Sequence, residues 1–291
     1  MAYDFDIIAK IKSLESHLKP SEKKVVTLIL EDLQWAGNAS IAQLAENAGV
    51  SEATITRFAK VVGCKDVRDL KAKLVSSFAV GRRFIEGYSE KINQKSTFGH
   101  IVQGIQDALS SVSNQISERA VKKAGTLIDK CNKLVVFGSG GGSTIAALEA
   151  QHRLFRLGLA VTAHHDTIMQ RMMAATLDTE SVVLAISTSG EISEINDNVL
   201  TAKQYGAKVI SITRSNTSLA NLSDVHLQVH VQESEGIFKP TPSRYALLAA
   251  VDTIALEVAN VRQDKCKEIL RKIKYSIDHQ RDKTQWLPLG D

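Results

Sequence analysis

The sequence predicts an all-α domain followed by an α/β domain whose mostly parallel sheet is covered by helices on both faces. Three observations carry this expectation. The chain has 291 residues, too many for one small core and suited to two domains at roughly 100 to 200 residues each. Before Gly81 apolar residues recur at helical spacing with hardly a strand signal. From Leu134 onward short apolar runs alternate with helical segments, the pattern of parallel strands joined by helical crossovers. The expected boundaries are 1–78 for the helical domain, 79–96 for a linker, 97–262 for the α/β domain and 263–291 for a C-terminal helix and tail.

In the first domain, SEKKVVTLILEDLQ places Val25, Leu28, Ile29 and Leu33 on one helical face, with Ser21 positioned to cap the helix. SIAQLAENAGVSEATITRFAKVVG, residues 40–63, reads as a helix pair. Ile41, Leu44, Ala45 and Ala48 form the apolar stripe of the first helix, Gly49 permits a left-handed turn, and Ser51 caps the second. Ile55, Phe58, Ala59 and Val62 of that second helix point inward.

The outward set is Glu52, Ala53, Thr54, Thr56, Arg57 and Lys60, small at the start and cationic further on. A recognition helix needs this distribution, because its first turn meets base edges in the major groove while flanking cations meet phosphates. Between Ser51 and Arg83 eight basic residues stand against three acidic ones, a local excess of five in a chain whose net charge is only +4. The helix pair is therefore expected to be a helix-turn-helix that contacts a double-stranded DNA operator through Ser51, Glu52, Ala53, Thr54, Thr56, Arg57 and Lys60. An αα-hairpin with a merely wet polar face is the other reading of the same spacing. The linker mixes glycine and charge without periodicity, and Thr97 to Lys130 is helical again.

The α/β domain opens with KLVVFGSGGGSTIAALEAQHRLFRLG: a β run, a glycine-rich turn, and a helix of about four turns ended by Gly158. Four further β runs follow at Ala160–Ala163, Val182–Ile186, Lys208–Thr213 and His226–Val231. Ligands of such sheets bind at the carboxyl ends of the strands, which singles out two loops. GSGGGS has Ser143 where a dinucleotide fingerprint counted from Gly138 needs its third glycine, and no Walker lysine follows, so no nucleotide cofactor is expected. The loop offers instead close backbone approach, a helix N-terminus and the hydroxyls of Ser139 and Ser143, groups that hold an anion without a cation.

STSGEISE repeats the arrangement after the third β run. Ser187 and Ser189 are expected to face outward, Gly190 gives backbone amides room to point at a ligand, and Thr188 with Glu191 forms a capping box for a helix over 191–205. Two hydroxyl-bearing loops beside one sheet describe a phosphate pocket. Its predicted residues are Ser139, Gly140, Ser143, Ser187, Thr188, Ser189, Glu191 and Asp166, with either Ser139 or Ser143 as the serine that meets the ligand.

From about Ile11 to Ala259 the chain resembles the RpiR family of bacterial transcription regulators. The likeness rests on the helix pair of residues 40–63, on FGSGGGS and STSGE, and on DTIMQRM and PSRYALLAAVDTIALEVA. It implies a helix-turn-helix domain joined to a sugar isomerase (SIS) domain that binds a phosphosugar or sugar acid phosphate, with binding changing operator affinity. Ile192 stands where the family's S-x-S-G-x-T pattern carries threonine, and the first loop is one residue longer than the usual GxGxS.

Several classes are excluded by simple counts. The opening MAYDFDIIAKIK lacks the basic end and apolar middle of a secretory leader, and the longest apolar stretch, Tyr245 to Ala259, is broken by Asp252 and Glu257, so no membrane partner is expected. Cys64, Cys131 and Cys266 form no CxxC pair, which predicts reduced thiols, a cytoplasmic location and no metal. His164 and His165 are adjacent at a strand end and project to opposite sides, an arrangement that does not chelate one ion.

A sugar-phosphate isomerase of the SIS type with an accessory helical domain is the alternative function. It needs a base poised near the working pH, whereas Glu191 and Glu194 in the first turn of a helix are expected to stay ionised. No catalytic residue is assigned for this reason. The expected protein is a sensor, a homodimer or homotetramer whose paired DNA-binding domains are respaced by the effector.

Overall fold

The computed structural model describes residues 6–85, 96–232 and 241–280. They fall into two compact units, residues 6–85 in one and residues 96–232 with 241–280 in the other.

The first unit is all helical: α1 (Ile7–Leu14), a 3₁₀ turn (Glu15–His17), α2 (Pro20–Glu31), α3 (Leu33–Asn38), α4 (Ile41–Ala48), α5 (Glu52–Val61) and α6 (Val67–Ile85). Its core gathers Ile7, Ile11, Val25, Ile29, Leu44, Ile55, Phe58, Leu70 and Leu74, all essentially without solvent contact. Each such side chain contributes roughly 1.5–3 kcal/mol relative to an exposed position. Two details differ from the sequence expectation. Ser21 is not the cap of α2: Pro20 takes the first helical position, where its missing N–H costs nothing, and the Glu22 carboxylate accepts the Lys19 N–H at 2.9 Å. The stretch expected as aperiodic linker is helical through Ile85, the end of α6; residues 86–95 lie outside the described residues.

The second unit is a five-stranded, all-parallel sheet in the order β2-β1-β3-β4-β5. The strands are β1 (Lys133–Gly138), β2 (Val161–His164), β3 (Ser181–Ile186), β4 (Lys208–Thr213) and β5 (Val225–Gln228), so the last is displaced toward its N-terminus from the expected His226–Val231. Helices α7 (Thr97–Val112) and α8 (Glu118–Lys130) precede β1, and α9 (Gly141–Phe155), α10 (Thr167–Ala174), α11 (Ser193–Gln204) and α12 (Ser218–Leu222) connect the strands in turn. The long α13 (Ser243–Gln280) closes the unit and is broken at Gln263.

Side chains of successive strand residues leave opposite faces of the sheet, and both faces are covered. Leu134 and Val136 of β1, with Val182, Leu184 and Ile186 of β3, pack under α8, α9 and α13. Val135, Phe137, Val183 and Ala185 pack under α10 and α11. The tail past Gln263 rests on this unit: the Cys266 thiol donates to the Leu157 carbonyl at 3.7 Å, and Ile269 covers Gly158.

Candidate functional site

Strand order places the site. β1 leads to β2 on one side and β3 leads to β4 on the other, so the crossovers diverge between β1 and β3 and leave a crevice at their carboxyl ends. Gly138 pairs with Ile186 across these strands, which brings the loops starting at Ser139 and Ser187 to the same level. The two loops touch. Ser143, 4 % exposed in the first turn of α9, accepts the Thr188 N–H at 3.3 Å, and the two hydroxyls lie 3.5 Å apart.

Among the described residues no side chain caps α9, whose N-cap is Gly140. The amides of Gly141, Gly142 and Ser143 thus stand at an open, positively polarised helix end. Helix α11 is also uncapped: it begins at Ser193, with Ile192 at the N-cap position and half-buried against the core. This corrects the expected capping box. An isoleucine has no oxygen to offer the first-turn amides, so the place where the family pattern has threonine is the place where a cap is missing.

Glu191 turns away from α11. Its carboxylate accepts both the N–H of Ser218 at 3.0 Å and the hydroxyl of Ser218 at 2.7 Å, and so clasps the start of α12. These two bonds, hydroxyl first, hold its pKa below the ordinary carboxylate value, with Arg214 adding to the effect. Glu194 is likewise depressed, by its own backbone N–H and then by Ser193. Both carboxylates are ionised near neutral pH and are weak bases there. The expected direction holds for Glu191, but its cause is a distant serine and not a helix dipole.

Ser187 does not face outward as expected. It is 1 % exposed, and its hydroxyl accepts the Gly190 N–H at 3.0 Å, holding the loop from beneath. Ser189 and Thr188 are the exposed hydroxyls, with Ser189 accepting the Glu191 N–H at 3.3 Å. Ser139 is half-buried and Gly140 exposed. Asp166 is exposed and caps α10, accepting the Met169 N–H at 2.8 Å. His164, at the end of β2, has its pKa lowered by burial and then by the Lys133 and His165 charges.

One basic residue outside the predicted set has its backbone and Cβ beside the start of α9. A Cβ on Gly142 would lie 3.2 Å from the Cβ of Arg244, so the first turn of α13 abuts the open end of α9. The guanidinium rests 4.8 Å from the Tyr245 ring centre and donates to the Tyr245 hydroxyl at 3.0 Å. Arg244 stands in the quoted PSRYALLAAVDTIALEVA segment, but nothing local in that segment says which loop its helix will meet.

In the helical unit Gly49 adopts φ 60°, the left-handed turn expected between α4 and α5, and the Ser51 hydroxyl accepts the Thr54 N–H at 3.3 Å. Thr54 bonds the Ser51 hydroxyl at 3.0 Å, and Thr56 donates to the Glu52 carbonyl at 3.1 Å, so both threonine hydroxyls have partners within the helix. Glu52, Ala53, Arg57 and Lys60 are exposed on the outer face of α5, with Ile55, Phe58 and Ala59 buried beneath.

A helix-turn-helix unit in the same chain as a five-stranded parallel-sheet unit is the architecture of a transcription regulator with a SIS domain. Residues 5–81 match the helix-turn-helix domain of the rpiR family and residues 127–257 match the SIS domain. Over 273 residues the chain is 32 % identical to the HTH-type transcriptional regulator HexR of Pseudomonas aeruginosa, covering 94 % of this chain and 95 % of that protein. It is 29 % identical over 287 residues to HexR of Escherichia coli, covering 98 % and 99 %. The fold is similar to that of the Vibrio vulnificus NanR protein complexed with ManNAc-6P, with a TM-score of 0.60 at 20 % identity over 94 % of this chain and 99 % of that one. The chain belongs to the RpiR family of helix-turn-helix transcription regulators. No described helix is long and apolar enough to cross a membrane.

Proposed function

We infer that the protein binds an operator through α5 and that its operator affinity is set by a phosphorylated sugar or sugar acid held between the β1 and β3 loops. The observation that carries this reading is the uncapped start of α9, facing the Thr188 loop with Arg244 beside it. Backbone amides at a helix N-terminus bind phosphate without a dedicated cation. The phosphosugar carried by the NanR protein supports the same ligand class.

In this reading the chain acts as a homodimer or homotetramer. Ligand binding changes the spacing of the paired helix-turn-helix units relative to half-sites about 34 Å apart or a multiple of it, so that operator affinity moves in either direction. A coupling of roughly 1–3 kcal/mol changes operator affinity about 5- to 150-fold. The isomerase alternative is less favoured, because the hydrogen bonds that lower the pKa of Glu191 and Glu194 make each a weaker base.

A thermal-shift screen against sugar phosphates and sugar acid phosphates tests the ligand, since a ligand selective for the native state raises its stability. Fluorescence anisotropy on operator DNA at several salt concentrations tests α5. Arg57→Ala is expected to flatten the log–log salt slope by about one. An unchanged slope and affinity would remove α5 from the DNA. Turnover of a sugar phosphate that disappears in Glu194→Gln would favour the isomerase instead.

A further inference from the structure

Beyond the crevice, the carboxyl ends of β4 and β5 border an open pocket of about 350 Å³, lined by Arg214, Ser215, Asn216, Gln228 and His230. None of these residues belongs to the β1 and β3 loops, and the size lies within the range of small-molecule sites, about 300–1,000 Å³. Its described lining residues all carry polar groups: a guanidinium, two amides, a hydroxyl and an imidazole, with no carboxylate among them.

The walls are held from both sides. Arg214 Nε donates to the Ser189 carbonyl at 3.0 Å, and among the described residues this is the guanidinium's only hydrogen bond, so its Nη groups keep their donors for a ligand. Asn216, at φ 59°, is the single described non-glycine residue with positive φ, a conformation asparagine tolerates better than most side chains. On the other side the Gln115 amide clamps His230, accepting its N–H at 2.8 Å and donating to its carbonyl at 2.9 Å.

A guanidinium anchored through Nε to the Ser189 carbonyl, with its planar edge flanked by amide and imidazole groups and no carboxylate among the described lining residues, is suited to an oxyanion, and Glu191, whose charge Arg214 also feels, is committed to Ser218. We propose that this pocket is a second small-molecule site, for a carboxylate or phosphate group, separate from the crevice between β1 and β3. The regulator then takes two chemical inputs on one sheet, and Arg214, bonded to the Ser189 carbonyl, stands between them.

Isothermal titration of the full chain with inorganic phosphate, and separately with succinate, tests the proposal. Arg214→Gln and Gln228→Leu are each expected to weaken one anion site at least tenfold, and Gln228→Leu does so without touching the Arg214–Ser189 bond. Thr188→Val is expected to spare that site and to weaken phosphate binding in the crevice. Whichever of phosphate and succinate binds the Arg214 site more tightly identifies the group the natural ligand presents. Anion binding that is unchanged in both Arg214→Gln and Gln228→Leu overturns the proposal. Loss of the Thr188-dependent site alone would instead strike at the crevice reading and leave this one standing.

Discussion

Replacing Gly190 by alanine isolates the β3 loop from the rest of the molecule. Gly190 sits at φ +68°, where a residue with a Cβ is disfavoured by roughly 1–2 kcal/mol. The added Cβ would lie 2.4 Å from Thr217 Oγ1 and 2.6 Å from Thr213 Oγ1. Neither threonine can step aside. Thr213 is fully buried, while the 2 %-exposed Thr217 caps α12 by accepting the Ala220 N–H at 3.3 Å and donates to the Arg214 carbonyl at 3.1 Å. Overpacking of this kind costs about 1–3 kcal/mol, for a combined strain of about 2–5 kcal/mol. The cheapest relief is to move the loop, which displaces the Gly190 N–H from Ser187 and shifts Thr188 away from Ser143. Urea unfolding should show a loss within that range, thermal shift should show a smaller rise with sugar phosphates than the wild type gives, and operator binding without ligand should persist because the helical unit has its own core. Gly141→Ala is the control: nothing lies within 4 Å of its Cβ, and alanine in a helix gains up to about 1 kcal/mol over glycine. Wild-type stability and a wild-type ligand response in Gly190→Ala would refute the reasoning.

Other expectations follow from single contacts. Ser143→Ala removes the acceptor of the Thr188 N–H, worth about 1 kcal/mol, and should weaken sugar-phosphate binding severalfold in calorimetry while leaving ligand-free operator binding intact. Because the Glu191 pKa is lowered by Ser218, the clasp is fully present above the ordinary carboxylate value and is lost as pH falls through the folded-state value; carboxyl NMR titration of Ser218→Ala should show Glu191 moving upward. Burial, the largest cause, pushes the Cys131 thiol up to about 11, so at pH 8 only about one part in a thousand is thiolate. Alkylation of Cys131 in the native protein should therefore be slow at pH 8 and accelerate as pH rises or urea unfolds the chain; rapid native labelling would contradict the burial.

The sequence by itself determined what depends on near neighbours. Period-3.6 stripes at Val25 and Ile29 and at Ile55, Phe58 and Ala59 specify core-facing helices, Gly49 and Ser51 mark the turn between α4 and α5, and the apolar runs of the second half are the strands of a parallel sheet. These signals are legible because backbone geometry repeats every few residues and capping reaches only three or four. The tertiary structure alone decided where side chains with several possible partners were spent. Glu191 could have capped its own helix, yet it meets Ser218, because Ile192 defers the start of α11 and β4 sets α12 beside the loop. Ser187 was equally able to face a ligand or the loop's own amide, and the parallel register of β3 with β4 buried it. Arg244 reaches Gly142 only because α13 packs back across α9 on one face of the sheet. Strand order and helix packing set such meetings, and no short window of sequence contains them.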